Sequence, residues 1–273
     1  MDENEYKELY RNTFNTVASG YDNSPLRFFS ESAKKVPRLL KLKGNESVLD
    51  VATGTGHMAL AFAKNLPNGQ VTGIDFSEGM LNQAMRKKDE LGLKNITFME
   101  MDMQDLDFPD SSFDIATCAF SIFFVEDIKK QMVDIVRKVN DEGKILITTF
   151  FEDAFSPLVD LFFRRLENYD IEPPSLAWKR VSTRQQCLTL FNEVGLHDIK
   201  CACMECGYYL NKASDWWYII WNAGFRGLVS QLSPSNFEIF KEEHFEEVQE
   251  LATDKGIWLE MNILHTIGTK KFI

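Results

Sequence analysis

Two glycines and one acid stand close together in the stretch V-L-D-V-A-T-G-T-G-H-M-A, residues 48–59. Gly54 and Gly56 can adopt backbone angles that a side chain forbids, and they let a ligand approach the chain closely. The end of the stretch fits the G-x-G-x-x-G/A pattern of dinucleotide-binding folds. Asp50 places a carboxylate four residues before Gly54. The stretch therefore predicts a nucleoside-binding turn that includes an acid.

Two further acids lie at the ends of predicted strands. Asp75 lies 21 residues after Gly54, where an acid can accept hydrogen bonds from both hydroxyls of a ribose, and Asp102 comes after the next strand. NAD would place its pyrophosphate at the helix N-terminus, where the carboxylate of Asp50 would repel it. S-adenosylmethionine carries no phosphate, and its sulfonium and ammonium groups are attracted by acids. Asp50 therefore favours S-adenosylmethionine.

Short apolar runs alternate with helical patterns over residues 46–150, and this alternation indicates right-handed βαβ units. Strands are predicted at 47–51, 71–76, 96–101, 113–120 and 144–150, and helices at 55–66, 77–91 and 128–139. The predicted fold is α/β: a Rossmann-like, doubly wound, mostly parallel sheet.

The second half of the chain has a different pattern. Thr183-x-x-Gln186 predicts a capping box that opens a helix ending at Gly195. Strands at about 197–210 and 256–268 predict an antiparallel strand at the sheet edge, with helical insertions that form a lid. We expect three parts: a covering segment at 1–45, a cofactor-binding core at 46–150, and completion of the sheet at 151–273, with lid insertions at about 151–180 and 211–252.

The motif D-V-A-T-G-T-G resembles motif I of the class I S-adenosylmethionine-dependent methyltransferases, and it is most similar to the ubiquinone/menaquinone-biosynthesis type and its small-molecule relatives. Four more stretches resemble that family in the same order: F-N-T-V-A-S-G-Y-D (14–22), V-T-G-I-D-F-S-E-G-M-L (71–81), M-D-M-Q-D-L-D-F-P (101–109) and S-S-F-D-I-A-T-C-A-F-S (111–121). Ala52 replaces the commonest glycine of motif I. Phe123 and Phe124 replace a frequent histidine pair, so a base-dependent mechanism is not carried over at that position.

The resemblance implies contacts with each part of S-adenosylmethionine. The residues expected along its methionine part are Ala52, Thr53, Gly54 and Gly56, beside Asp50. Asp75 would bind the ribose, with Phe76 and Met80 packed near the adenine. Asp102 would accept from the adenine amino group and Met103 would offer its backbone N–H. Ala119 and Phe120 would form the floor of the methyl-transfer site, and Tyr21 would cover the cofactor.

The acceptor site is less defined by the sequence. Phe124, Trp217 and Trp221 are candidates for its wall, although Trp217 and Trp221 equally fit the buried face of a helix. No catalytic residue is predicted, and Tyr21, Glu126 and His244 are the positions to mutate. Cys201-x-Cys203-x-x-Cys206 resembles a metal site only superficially, because no second Cys/His cluster accompanies it, so no metal is expected.

The composition limits the classes of acceptor molecule and the cellular compartments that are expected. The chain of 273 residues has a formal net charge of −11, which disfavours nucleic acid, and no apolar run is long enough to span a membrane. Five cysteines and an acidic start without an apolar segment indicate a cytoplasmic protein. The sequence predicts O-, N- or C-methylation of a small, partly apolar molecule. The alternatives are a nicotinamide-dependent oxidoreductase and a non-catalytic S-adenosylmethionine-binding protein, and the oligomeric state stays open.

Overall fold

The computed structural model describes residues 3–171 and 177–271, so residues 172–176 of the first predicted insertion lie outside the described residues. Its strands are β1 Ser47–Val51, β2 Gln70–Asp75, β3 Ile96–Glu100, β4 Phe113–Ala119, β5 Val139–Phe150, β6 His197–Glu205, β7 Tyr208–Leu210, β8 Ile257–Leu259 and β9 Asn262–Thr269. Its α-helices are α1 Glu3–Val17, α2 Phe28–Leu40, α3 His57–Asn65, α4 Glu78–Glu90, α5 Ile128–Lys138, α6 Leu158–Glu167, α7 Arg184–Glu193, α8 Ala213–Asn222, α9 Arg226–Val229 and α10 Pro234–Gln249.

Seven strands form the main sheet in the order β3-β2-β1-β4-β5-β9-β6. All pairs among β1 to β5 are parallel, and the chain reverses its direction of winding between β1 and β4. In such sheets a crevice opens at the carboxyl ends of the two strands that flank the reversal. The predicted Rossmann-like, doubly wound architecture is confirmed, and it places the glycine turn after β1 at this crevice.

The antiparallel strand differs in position from the prediction. β9 pairs antiparallel with β5 on one side and with β6 on the other, so it lies inside the sheet and β6 forms the edge. The side chains of β6 alternate over most of its length between half-buried and exposed, because successive residues point to opposite faces and α7 packs against one of them. β9 is buried over most of its length.

Each of the two late strands is shorter than predicted. The first ends at Glu205 and the second begins at Asn262, while β7 and β8 pair with each other in a separate two-stranded sheet. Gly207 lies at the break, where an added Cβ would come within 2.5 Å of the Trp258 ring and 3.0 Å of the Leu259 carbonyl oxygen. The segment at Gly207 and the segment at Trp258 and Leu259 are too close for a side chain at position 207. This contact joins residues that are distant in sequence, so the local sequence pattern does not reveal it.

Both faces of the sheet are covered. Val48 packs on the side of α2 and α3, whereas its neighbour Leu49 belongs to the larger core that includes α5 and α7. Burial on both sides explains why β1 reads as an almost continuous apolar run. The predicted capping box is confirmed, because Thr183 and Gln186 form it at the start of α7, and Ser77 caps α4 by accepting from the Met80 N–H.

A buried histidine links three elements of this core. The His265 ring on β9 lies 3.0 Å from the Thr148 hydroxyl on β5 and 3.3 Å from the Ser32 hydroxyl on α2. Burial, together with the charge of Lys35, lowers the pKa of His265 from 6.5 to about 4. A histidine whose folded pKa lies below its unfolded pKa stabilises the fold fully above the unfolded value, and loses that contribution as the pH falls towards the folded value.

We therefore expect His265→Gln to change how stability depends on pH. Between about pH 7.5 and about pH 5, the difference in free energy of unfolding between the wild type and this variant should shrink by about 2 kcal/mol. Urea unfolding at each pH measures it. Ser32→Ala, which removes one partner without removing a titrating group, should lower stability by the same amount at every pH. A pH-independent difference for His265→Gln would contradict the prediction.

Candidate active site

A cavity of about 420 Å³ opens at the carboxyl ends of β1 to β4. It collects most of the residues that the sequence nominated: Tyr21, Ala52, Gly54, Asp75, Phe76, Met80, Asp102, Met103, Ala119, Phe120 and Phe124. A smaller cavity of about 60 Å³ lies beside it and is bordered by Asp50 and Thr53, with Tyr21, Gly54 and Phe120 common to both. The two cavities follow the glycine turn and form one candidate site.

Asp75 fixes the turn after β1 to the end of β2. Its Oδ2 accepts a hydrogen bond from the Gly54 N–H at 2.8 Å, and its Oδ1 accepts from the Ser77 N–H at 2.9 Å. Burial raises the pKa of Asp75 to about 6, against the effect of these donors. Each carboxylate oxygen can accept more than one hydrogen bond, so both oxygens can still accept from hydroxyl groups in the cavity.

Asp50 lies behind the turn and is 1% exposed. Its Oδ1 accepts from the Thr117 hydroxyl at 2.6 Å, and its Oδ2 accepts from the Thr53 hydroxyl at 2.6 Å and from the Ala59 N–H at 3.1 Å. Ala59 lies in the first turn of α3, so the carboxylate already uses a helix amide that a bound phosphate would need. Asp50 thus braces the turn behind Thr53 while it borders the smaller cavity, and its contact with the cofactor stays a prediction.

Gly56 does not line either cavity, so the structure gives it a packing role, and its predicted contact with the cofactor stays a prediction. Its φ is +83°, and an added Cβ would lie 3.0 Å from the Ala84 Cβ and 3.0 Å from the Phe98 ring. The glycine is needed for the turn into α3 and for the close packing of α3 on α4 and β3. Thr53 borders only the smaller cavity, where its hydroxyl is bonded to Asp50.

Two residues with side chains adopt left-handed backbone angles at the cavity wall. Ala52 has a φ of +53° after β1, and Phe120 has a φ of +57° after β4. The Phe120 N–H donates to the Thr148 carbonyl at 2.8 Å, and its ring packs 4.7 Å from the Phe150 ring. Such angles cost free energy and persist only where the surroundings hold them, which is common at functional sites.

Helix α1 closes the side of the cavity near β2 and β3. The Lys7 ammonium forms an ion pair with Asp102 at 3.0 Å, and the Arg11 guanidinium lies 5.6 Å from the Phe76 ring centre. Tyr6, Tyr10 and Phe14, which recur every four residues, also line the cavity. No role in the site was predicted for these α1 side chains, although their spacing on one helical face was a signal that could have found them.

Trp217 and Trp221 are not among the residues that line the two cavities, so the structure favours the second interpretation of these residues, the buried face of a helix. Their rings stack on each other at 6.5 Å, and both pack against Phe237 of α10. They form the buried face of α8 in a bundle with α10. α8 still influences the site, because its Tyr218 hydroxyl donates to the Gly20 carbonyl at 3.0 Å, one residue before Tyr21.

His244 is also far from the cavity. It is fully buried in α10, where its Nε2 accepts from the Trp216 indole N–H at 2.9 Å. Burial lowers the pKa of His244 to about 4. It therefore has a structural role and cannot act on an acceptor, whereas Tyr21 and Glu126, the other two positions chosen for mutation, do line the cavity.

The left-handed angle at Ala52 gives a testable prediction. Ala52→Gly should change the free energy of unfolding by less than about 1 kcal/mol, because relief of strain offsets the added flexibility of the unfolded chain. Ala52→Val should cost more than about 2 kcal/mol, since a β-branched residue fits poorly at positive φ. Ala116→Gly, at a buried position of β4, is the control and should cost about 1 kcal/mol. Urea unfolding measures the free energy of unfolding of each variant. If Ala52→Gly and Ala116→Gly lost the same free energy, the positive φ at Ala52 would not be a source of strain.

The chain is similar in sequence to known methyltransferases. A methyltransferase-domain family matches residues 48–143. The ubiquinone/menaquinone biosynthesis C-methyltransferase of Bdellovibrio bacteriovorus is 37% identical over 147 residues, which cover 52% of this chain and 62% of that relative. A demethylmenaquinone methyltransferase of Porphyromonas gingivalis is 30% identical over 207 residues, which cover 68% of this chain and 83% of the relative.

The fold also matches solved structures. The YcgJ protein of Bacillus subtilis superposes with a TM-score of 0.61 at 20% identity, and the match covers 89% of this chain and 99% of that one. At this identity the likeness concerns the fold alone, while the sequence relatives identify the family. The chain belongs to the class I S-adenosylmethionine-dependent methyltransferases, in the branch of the ubiquinone/menaquinone-biosynthesis enzymes.

Proposed function

We propose that this protein transfers the methyl group of S-adenosylmethionine to a small, partly apolar organic acceptor, at oxygen, nitrogen or carbon. The observation that carries the proposal is the carboxylate of Asp75, which is fixed between two backbone amides and faces a cavity whose lining includes seven aromatic residues. An acid in that position suits the two hydroxyls of a ribose.

The residues of the site fit S-adenosylmethionine. Asp75 would hold the ribose, and Phe76, Met80 and Asp102 would surround the adenine, with α1 above them. The turn at Ala52 and Gly54 would receive the methionine part, because nothing lies within 4 Å of a Cβ added at Gly54. The acids also suit a cofactor with two positive groups. A nicotinamide dinucleotide is disfavoured, since Asp50 occupies the helix amide beside the turn.

When bound, S-adenosylmethionine supplies an electrophilic methyl group and a neutral thioether leaving group. The protein needs to orient the acceptor and to exclude water. The rings of Phe28, Phe29, Phe120, Phe150 and Phe155 pack against one another behind the cavity, so water is excluded on that side. Burial raises the pKa of Tyr21, and so do the charges of Asp75 and Asp22, so its hydroxyl stays protonated and can donate a hydrogen bond. We assign no general base.

The proposed partner and compartment follow from charge and cysteine chemistry. The net charge of −11 opposes binding of a nucleic-acid backbone, and an enclosed cavity suits a small molecule. Among the described residues, no helix has the length and apolar character needed to cross a membrane, and no group of three His, Cys, Asp or Glu side chains could hold a metal ion. All five cysteines are free, which suits a reducing cytoplasm.

The parts of the chain also have proposed roles. Residues 1–45 cover the cofactor, residues 46–150 bind it, and residues 151–273 complete the sheet. The helices within 211–252 support the covering segment from outside, as the bond from Tyr218 to Gly20 suggests. We propose that these helices support the covering segment and do not form a wall of the acceptor pocket.

Binding of S-adenosylhomocysteine tests the cofactor site. Calorimetric titration should give saturable binding to the wild type and none with NAD or NADP. Asp75→Asn should weaken binding by about tenfold or more, because hydrogen bonds to a charged acceptor are lost. The control is Asp114→Asn. Asp114 also accepts a backbone N–H, from Ser47 at 2.9 Å, but at the opposite end of the sheet. Equal effects of the two variants, or binding of NAD, would refute the assignment.

Methyl transfer itself is tested with methyl-labelled S-adenosylmethionine and a panel of small phenols, quinols, amines and carbon acids. We expect label in at least one small acceptor and none in nucleic acid. Phe124→Ala should raise the KM of that acceptor about tenfold, because the ring lines the cavity 4.8 Å from Tyr10. Trp221→Ala, outside the cavity, should leave it unchanged. Binding of S-adenosylhomocysteine without turnover on any acceptor would favour a non-catalytic binding protein.

A further inference from the structure

A short segment between α1 and α2, residues 18–27, crosses the site and is called the strap below. Tyr21 lies in the strap and lines both cavities, and its ring stacks on the Phe29 ring with 4.8 Å between centres. The strap has few firm backbone hydrogen bonds near this residue: the Tyr21 N–H reaches the Ala18 carbonyl at 3.3 Å, and the Asn23 N–H reaches the Gly20 carbonyl at 3.4 Å. Its position must therefore depend on side chains.

The next residue, Asp22, is the main connection between the strap and the cofactor-binding core. Its Oδ1 accepts from the Thr55 hydroxyl at 2.6 Å and from the His57 Nε2 at 2.7 Å, and its Oδ2 lies 2.7 Å from the Lys87 ammonium. Lys87 also donates to the Thr55 hydroxyl at 3.1 Å. Two of these donors stand at the start of α3 and one stands on α4, so a single carboxylate joins three parts of the chain.

These contacts are partly shielded from solvent: Asp22 is an exposed residue, but its carboxylate side chain is half-buried. The side chains of Asp22 and Lys87 are 24% and 17% exposed, so their ion pair is screened less than a surface pair. Although burial alone would raise it, the pKa of Asp22 is held well below its usual range by His57 and Lys87. Burial lowers the pKa of His57, so its ring is a neutral donor at neutral pH. The cluster therefore keeps Asp22 charged and fixed.

We propose that Asp22 is a positioning residue that holds Tyr21 over the cofactor, so that affinity for S-adenosylmethionine depends on the Asp22–Lys87 pair although neither residue lines a cavity. The inference rests on the proposed function, because it concerns the same cofactor site. His57 and Thr55, which border the smaller cavity, connect this pair to the site. α8 holds the strap from its other side through Tyr218.

The test compares Asp22→Asn with Glu247→Gln. Glu247 pairs with Arg165 in the helical bundle, and that pair has the same exposures, 24% and 17%. Both variants should lose similar thermal stability. Calorimetry with S-adenosylhomocysteine should show about tenfold weaker binding for Asp22→Asn, as expected if Tyr21 is in place in about one molecule in ten. Glu247→Gln should bind like the wild type. Lys87→Met removes the other partner of the same ion pair, on α4, and should weaken binding of S-adenosylhomocysteine as much as Asp22→Asn does.

A double variant shows whether Asp22 acts through Tyr21. In a Tyr21→Ala background, Asp22→Asn should still lower the melting temperature but should not weaken binding further. Unchanged binding by Asp22→Asn alone, or an equal loss with and without Tyr21, would overturn the inference. Failure of the wild type to bind S-adenosylhomocysteine would instead refute the proposed function, and the two failures are therefore distinguishable.

Discussion

The buried carboxylate of Asp50 is the interaction on which the site depends. Through Thr117 it joins β1 to β4, through Thr53 it shapes the turn after β1, and through the Ala59 amide it sets the start of α3. A carboxylate buried without partners would be strongly destabilising. Burial raises its pKa to about 6, and three donors compensate for the desolvation. The turn so fixed brings the Gly54 amide to Asp75, and this second carboxylate then faces the cavity.

The walls of the cavity come from parts of the chain that are distant in sequence. The carboxyl ends of the strands supply the acids and the backbone, whereas α1, the strap and the turn before α5 supply most of the rings. The two groups meet through a few polar contacts, notably Lys7 with Asp102 and Asp22 with Lys87. A rigid polar base and an aromatic cover joined in this way suit a reaction that needs an ordered cofactor and little water.

Features of the fold and of the site that depend on local sequence patterns could be predicted, whereas those that depend on contacts between distant residues could not. The strands β1 to β5 and the positions of Asp75 and Asp102 followed from local periodicity, because the carboxyl ends of parallel strands meet at one edge of a sheet. The breaks near Gly207 could not be predicted, since they depend on contact with Trp258. Trp217 has the helical spacing of either a core or a pocket residue, and only the packing against α10 decides between them. The partners of Lys7 and Asp22 depend on how α1 and the strap fold back over the core.

The position of β9 has a consequence for how the chain is made. β1 to β5 are complete by residue 150 and can pair during synthesis, since each has its neighbours within that segment. The edge strand β6 has no partner until residues 262–269 leave the ribosome, because β9 lies between it and β5. Until then the outer edge of β5 and the edge of β6 that faces β9 are unpaired, and unpaired edges are sites for association with other chains. The order of synthesis therefore leaves the β5 side of the sheet open until β9 is made.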